Sequence, residues 1–142
     1  MIPLRSICKQ GFQYYRANGV ERDYGIAFKY FSAAADGGDE IGLYRLGLCY
    51  SWGHGVAQND NRAFGLFSLS GAKGYAPPLH YLGISFNCGL GTPKDVEKAF
   101  DYFLKAAEQG LPDAQEAVTG FLMEGTAGVK DPARGIRILN SR

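Results

Sequence analysis

The 142-residue chain is predicted to be all-α: a right-handed solenoid of about four antiparallel helix-turn-helix repeats, forming one domain over residues 1–142. Three observations predict it. Residues recur at a spacing of 36; the recurring residues are those a helix pair needs at its turns and close contacts; and apolar positions inside each unit follow helical spacing. The units run approximately over residues 1–37, 38–73, 74–109 and 110–142.

A shift of 36 places Gly38 on Gly74 and Gly74 on Gly110. It places Leu46, Gly47, Tyr50, Gly53 and Gly55 on Leu82, Gly83, Phe86, Gly89 and Gly91, and Ala63, Phe64 and Phe67 on Ala99, Phe100 and Phe103. In the first unit Gly11, Tyr14, Gly19, Val20, Ala27, Phe28 and Phe31 fill the corresponding places. The last unit is looser: Val118, Leu122 and Gly125 keep register, then one residue inserted at TAGV is offset by a deletion before Asp131. A single helix pair cannot bury its own apolar face, so such units stack into a continuous core.

Within a unit the first helix carries Leu46 and Tyr50, or Leu82 and Phe86, four residues apart on one stripe. A Gly-x-Gly loop follows, GHGV at Gly53 to Val56 and GLGT at Gly89 to Thr92. The second helix opens at a capping residue: Asp23, Asn59 or Asp60, Asp95 and Asp131, whose side-chain oxygens can accept unpaired first-turn N–H groups. Pro132 suits the first helical position. Ala99, Phe100, Phe103 and Ala107 continue the apolar spacing up to Gly110, which, like Gly38 and Gly74, can take the left-handed conformation that closes a helix. Gly47, Gly83, Ala63 and Ala99 permit close helix approach; larger side chains there are expected to cost about 1–3 kcal/mol each.

Composition bounds the function classes. Hydrophobic residues make up 46% and charged residues 20%, a globular balance. Net charge is +1, and the four units carry +2, 0, −1 and 0, so no segment is the basic block that nucleic acid or an anionic membrane surface demands. No apolar run reaches the roughly 18–20 residues of a membrane span, and MIPLRSICKQGF lacks a signal peptide's apolar centre. Cys8, Cys49 and Cys88 form neither an even set nor a metal-spaced pair, which points to a reduced, cytoplasmic compartment.

The segments LGLCYSWGHGVAQNDNRAF and LGISFNCGLGTPKDVEKAFDYFLKAAEQG resemble Sel-1-like repeats, relatives of the tetratricopeptide repeat. Period 36 with Gly at the unit boundaries separates them from the 34-residue tetratricopeptide period. The resemblance covers nearly the whole chain. It implies an adaptor of the kind that assembles complexes, serves protein quality control, regulates cell-wall synthesis or mediates bacterial interactions with hosts and rivals. The chain departs from the family pattern at Thr119, where Gly is usual, at Pro78, where Ala is usual, and at Gly71, where Ala is preferred. Its final helix stops near Asn140, short of the usual K-A-A ending, so the last unit is either a degenerate cap or the point where a longer array has been cut. The Cys pairs of secreted disulfide-rich members are absent.

Sharper chemistries find little support. A phosphate cradle needs a strand before its Gly-rich turn, and helices flank these loops. His54 and Cys88 fall near the same end of successive units, but a structural zinc needs about four ligands and no His or Cys partners stand at ligand spacing. No nucleophile–base arrangement is visible, and acids such as Glu97, Asp101 and Glu108 sit beside basic residues on helix faces. No catalytic residue, metal ligand or cofactor is therefore expected, and the chain is expected not to be an enzyme.

The first helices carry the functional signal. With Leu46 and Tyr50 inward, Ile41, Tyr44, Arg45, Leu48 and Trp52 turn broadly away from the core; Pro77, His80, Tyr81, Ile84 and Cys88 are their equivalents. This face is apolar and aromatic where a solvated one would be polar. Tyr44, Arg45, Leu48, Trp52, His80, Tyr81 and Ile84 are the candidate residues for binding a peptide or helix of a partner protein in a concave groove. Arg45 would supply a forked donor, and Tyr44, Trp52 and Tyr81 rigid apolar area. For Leu48 and Ile84 the competing role is packing neighbouring first helices together. Two rival functions remain, a spacer or oligomerisation unit using its open ends and a hydrolase built on the repeat scaffold.

Overall fold

The computed structural model describes residues 4–16, 22–125 and 132–140. They form helices α1 (Leu4–Arg16), α2 (Tyr24–Asp36), α3 (Glu40–Trp52), α4 (Asp60–Ala72), α5 (Pro77–Cys88), α6 (Val96–Glu108), α7 (Pro112–Glu124) and α8 (Pro132–Asn140), with no strand among the described residues. The helices group into two compact units, Met1–Tyr75 and Ala76–Arg142.

Helix boundaries follow local chemistry. Asp23, Asn59 and Asp95 stand at extended backbone, and each accepts the amide N–H three residues on, from Ile26, Arg62 and Lys98 at 3.0, 3.1 and 3.1 Å. Asn59 is thus the cap of α4, and Asp60 is its first helical residue. The fourth expected cap, Asp131, lies outside the described residues. The backbone N–H groups of the same three residues donate to the carbonyls of Tyr14, Tyr50 and Phe86, tying each second helix to the first helix before it. Buried Asp39 also caps α3 through the Gly42 N–H at 2.9 Å, a role the 36-residue pattern does not reveal.

Two glycine sets close the helices. Gly53, Gly89 and Gly125 end α3, α5 and α7 at φ 70, 71 and 63°, a left-handed geometry that costs other L-residues about 1–2 kcal/mol. Gly38, Gly74 and Gly110 follow α2, α4 and α6 at φ 85, 90 and 87°, as the repeat predicts.

In the first unit α3 packs against α1, α2 and α4, and α1 packs against α2. Ala27, Phe31, Ala34, Ala35, Leu43, Leu46 and Cys49 form its core. Glycine permits the closest crossings. A Cβ on Gly47 would stand 2.7 Å from the Phe67 ring, one on Gly42 2.7 Å from the Ala34 Cβ, and one on Gly11 2.8 Å from the Tyr30 Cβ. The buried Ser70 hydroxyl on α4 donates to the Glu40 carbonyl on α3 at 2.7 Å, satisfying an otherwise orphaned group.

In the second unit α6 packs against α5, α7 and α8. Phe100 and Phe103 meet Phe121 of α7 at centroid distances of 5.6 and 5.8 Å, and a Cβ on Gly83 would lie 2.6 Å from the Phe103 ring. Thr119, at the position equivalent to Gly47 and Gly83, instead turns its hydroxyl to the Gln115 carbonyl at 2.8 Å. Glu108 pairs with Arg134, joining α6 to α8.

Candidate functional site

The first-helix residues of the two units separate into interior and accessible groups. Tyr44 is 9% exposed, with its ring 6.1 Å from Phe67 and edge-on to Tyr75 at 5.6 Å; Leu48 is 6% exposed. Both therefore differ from the expectation that they face a partner. Their helix α3 is apolar around most of its circumference and is flanked by three helices, so a single inward stripe does not describe it. Leu48 is an interior residue of α3.

Trp52 behaves differently. It is the last residue of α3, immediately before the left-handed turn at Gly53; it is 61% exposed and its ring meets no other aromatic ring among the described residues. Arg45 is half-buried, its guanidinium carbon 4.3 Å from the Phe12 ring centroid and 5.5 Å from that of Tyr44. Arg16, exposed on α1, lies over the same Phe12 ring at 5.2 Å. Phe12 and Arg16 are one helical turn apart, a spacing open to sequence inspection; that Arg45 of α3 joins them required the packing of α1 on α3.

In the second unit His80, Tyr81 and Ile84 on α5 are all half-buried. His80 packs edge-on to Tyr81 at 5.5 Å and tilted to Phe103 at 5.6 Å. Its Nδ1 is buried without a hydrogen-bond partner. Burial lowers the His80 pKa below its ordinary 6.5, and the Asp113 carboxylate partly opposes that shift, so the imidazole is neutral at pH 7.

Other reactive side chains serve the scaffold. Burial pushes the Cys49 thiol up to about 12, with Arg45 opposing in part; it stays protonated and inert, while Cys88 is exposed. His54, weighed from sequence as a ligand, accepts or donates a hydrogen bond of 2.9 Å between its Nδ1 and the Tyr15 hydroxyl and stacks on Tyr24. Among the described residues no group of three or more His, Cys, Asp or Glu side chains converges as a metal site would require. No described helix is long and apolar enough to cross a membrane.

A second accessible feature was missed from sequence. The first unit holds an open cavity of ≈ 420 Å³ lined on α3 and α4 by Leu43, Leu46, Leu66 and Leu69, with Asp36 and Arg62 as its charged members. Leu69 is 57% exposed, and Gly65 beside it has no heavy atom within 4 Å of where a Cβ would stand, which leaves the groove open.

The Sel1 repeat family model matches residues 9–39, 41–75 and 79–111. Among solved structures, a protective antigen of uropathogenic Escherichia coli displaying an SLR (Sel1-like repeat) fold is similar at 32% identity and TM-score 0.85, over 96% of this chain and 29% of that one. A Sel1 repeat protein from Oxalobacter formigenes is similar at 29% identity and TM-score 0.85, over 98% of this chain and 57% of that one. Cysteine-rich protein B of Helicobacter pylori shares the fold at 22% identity and TM-score 0.66, over 80% of this chain and 88% of that one. The chain thus spans under a third of the first of these structures and just over half of the second. No curated protein sequence matches the chain significantly.

Proposed function

The chain belongs to the Sel1 repeat family, whose helical repeats generally serve as non-catalytic protein-interaction scaffolds, and we propose that it is an adaptor holding a segment of a partner protein on the first-helix face of its first unit. The observation that carries this reading is Trp52. A tryptophan left 61% exposed and free of aromatic partners among the described residues brings a solvation cost that a partner can remove. Covering it contributes about 2 kcal/mol or more, and Trp is the residue type most enriched at binding hot spots. Half-buried Arg45, seven residues earlier on α3, adds directional donors to the same helix.

The test is affinity purification from the source cell with wild type and Trp52→Ala, read by mass spectrometry. A protein held by the wild type and released by the folded variant supports the adaptor reading and identifies the partner. Equal capture by both removes Trp52 from the interface.

The groove beside Leu69 favours a second reading, in which an apolar helix of the partner docks on α3 and α4. Leu69→Asp then abolishes capture that Trp52→Ala leaves intact.

A further inference from the structure

We propose that Arg16 and Arg45, both held over the ring of Phe12, form a receptor for a carboxylate of an acidic segment of the partner protein. The inference rests on the reading that the partner binds the first-helix face of the first unit, and it specifies that partner's chemistry.

Two cations on one ring are the starting point. The Arg45 and Arg16 guanidinium carbons lie 4.3 and 5.2 Å from the Phe12 centroid, so the two charges stand within about 10 Å of one another, roughly a Debye length at moderate salt. Neither guanidinium makes an ion pair or hydrogen bond among the described residues. Helix α1 offers no acid to neutralise them: its sequence LRSICKQGFQYYR has three basic residues and no acidic one. The two positive charges therefore reinforce each other's field and repel each other until an anion arrives.

The helix dipole accounts for one arginine only. Arg16 sits in the last turn of α1, where a cation complements the helix dipole. Arg45 lies in the middle of α3, half-buried against the Phe12 and Tyr44 rings, so it is partly desolvated with no ion pair among the described residues.

The ring supplies what a receptor needs. A guanidinium lying over an aromatic face keeps its N–H donors in its own plane, directed sideways and free for a two-pronged carboxylate. Holding the side chain in advance also reduces the rotamer entropy lost on binding. Two guanidinium groups over one ring can engage one or two carboxylates. A nucleic-acid backbone needs a longer run of cations than a chain of net charge +1 provides.

The experiment presents immobilised peptides to the labelled whole chain. They vary Asp and Glu against the amide isosteres Asn and Gln at fixed apolar positions, and a third set carries phosphoserine in place of the acids. The expected result is preferential binding of the acidic set that weakens as salt rises. Arg16→Gln and Arg45→Gln should each reduce it by about tenfold, the scale of one charge-assisted bond. Lys105→Gln, a surface charge of the second unit, should leave it unchanged. Arg45→Lys should recover only part, because it keeps the charge and loses the fork. Arg16, being exposed, keeps the test valid if Arg45→Gln unfolds. Equal binding of acidic and amide peptides, indifference to both arginine variants, binding to no acidic peptide, or stronger binding of the phosphoserine set each overturns the carboxylate assignment. If acidic and amide peptides bind equally and Trp52→Ala abolishes both, the adaptor reading survives while this one fails.

Discussion

The imidazole of His54 lies flat on the ring of Tyr24, centroids 4.1 Å apart and planes 4° from parallel, while its Nδ1 meets the Tyr15 hydroxyl at 2.9 Å. One side chain in the loop after α3 thereby joins α1 and α2. Beneath it, Gly55 passes so near the Tyr24 carbonyl that any Cβ would collide with it. The Gly-x-Gly loop is thus a clamp on the preceding helix pair.

His54→Ala removes both the stack and the hydrogen bond, and should destabilise the first unit by about 1–3 kcal/mol. His54→Phe, which retains the stack alone, should fall between. Urea unfolding reads the loss, and amide exchange should quicken first in residues 53–58. Wild-type stability in His54→Ala would mean the contact is incidental.

Gly47→Ala and Gly120→Ala should move stability in opposite directions. Both are helical and both gain about 1 kcal/mol in intrinsic propensity. At Gly47 the new methyl stands 2.7 Å from the Phe67 ring in a packed core, so overpacking of about 1–3 kcal/mol should win; at Gly120 nothing lies within 4 Å and the gain should survive. Thermal melts of the two variants decide it.

His80 makes stability depend on pH. Because burial lowers its folded pKa below 6.5, the unfolded chain binds the extra proton more readily as pH falls through that value. Its contribution is therefore complete above about pH 6.5 and is lost toward the lower folded pKa. Between pH 7 and 5 the wild-type melting temperature should drop more than that of His80→Leu. At pH 7 the same variant, by deleting an orphaned Nδ1, should be more stable by about 1 kcal/mol. Parallel pH profiles for the two proteins would contradict this.

Tyr44 and Trp52 should exchange the roles their shared helix face implies. Tyr44→Ala opens a cavity among Phe67 and Tyr75 and should cost about 3 kcal/mol or more. Trp52→Ala, at an exposed helix end, should stay within about 0.5 kcal/mol of wild type. Denaturation midpoints separate them, and a large loss at Trp52 would mean that its ring supports the fold.

Local chemistry made the helix pairs readable in the amino-acid order. A cap such as Asp95 acts on an amide three residues away, and Gly47 and Gly83 recur because each unit repeats the same crossing against Phe67 and Phe103. Periodicity in a helix reports one direction of burial, however, and α3 has neighbours in three. Only packing decided that Tyr44 and Leu48 turn inward while Trp52 stays open. The same holds for His54 with Tyr15, 39 residues apart, and for Arg45 with Phe12. Such pairs lie on different helices, so no spacing within one helix encodes them; the distance at which helices pack brings them together.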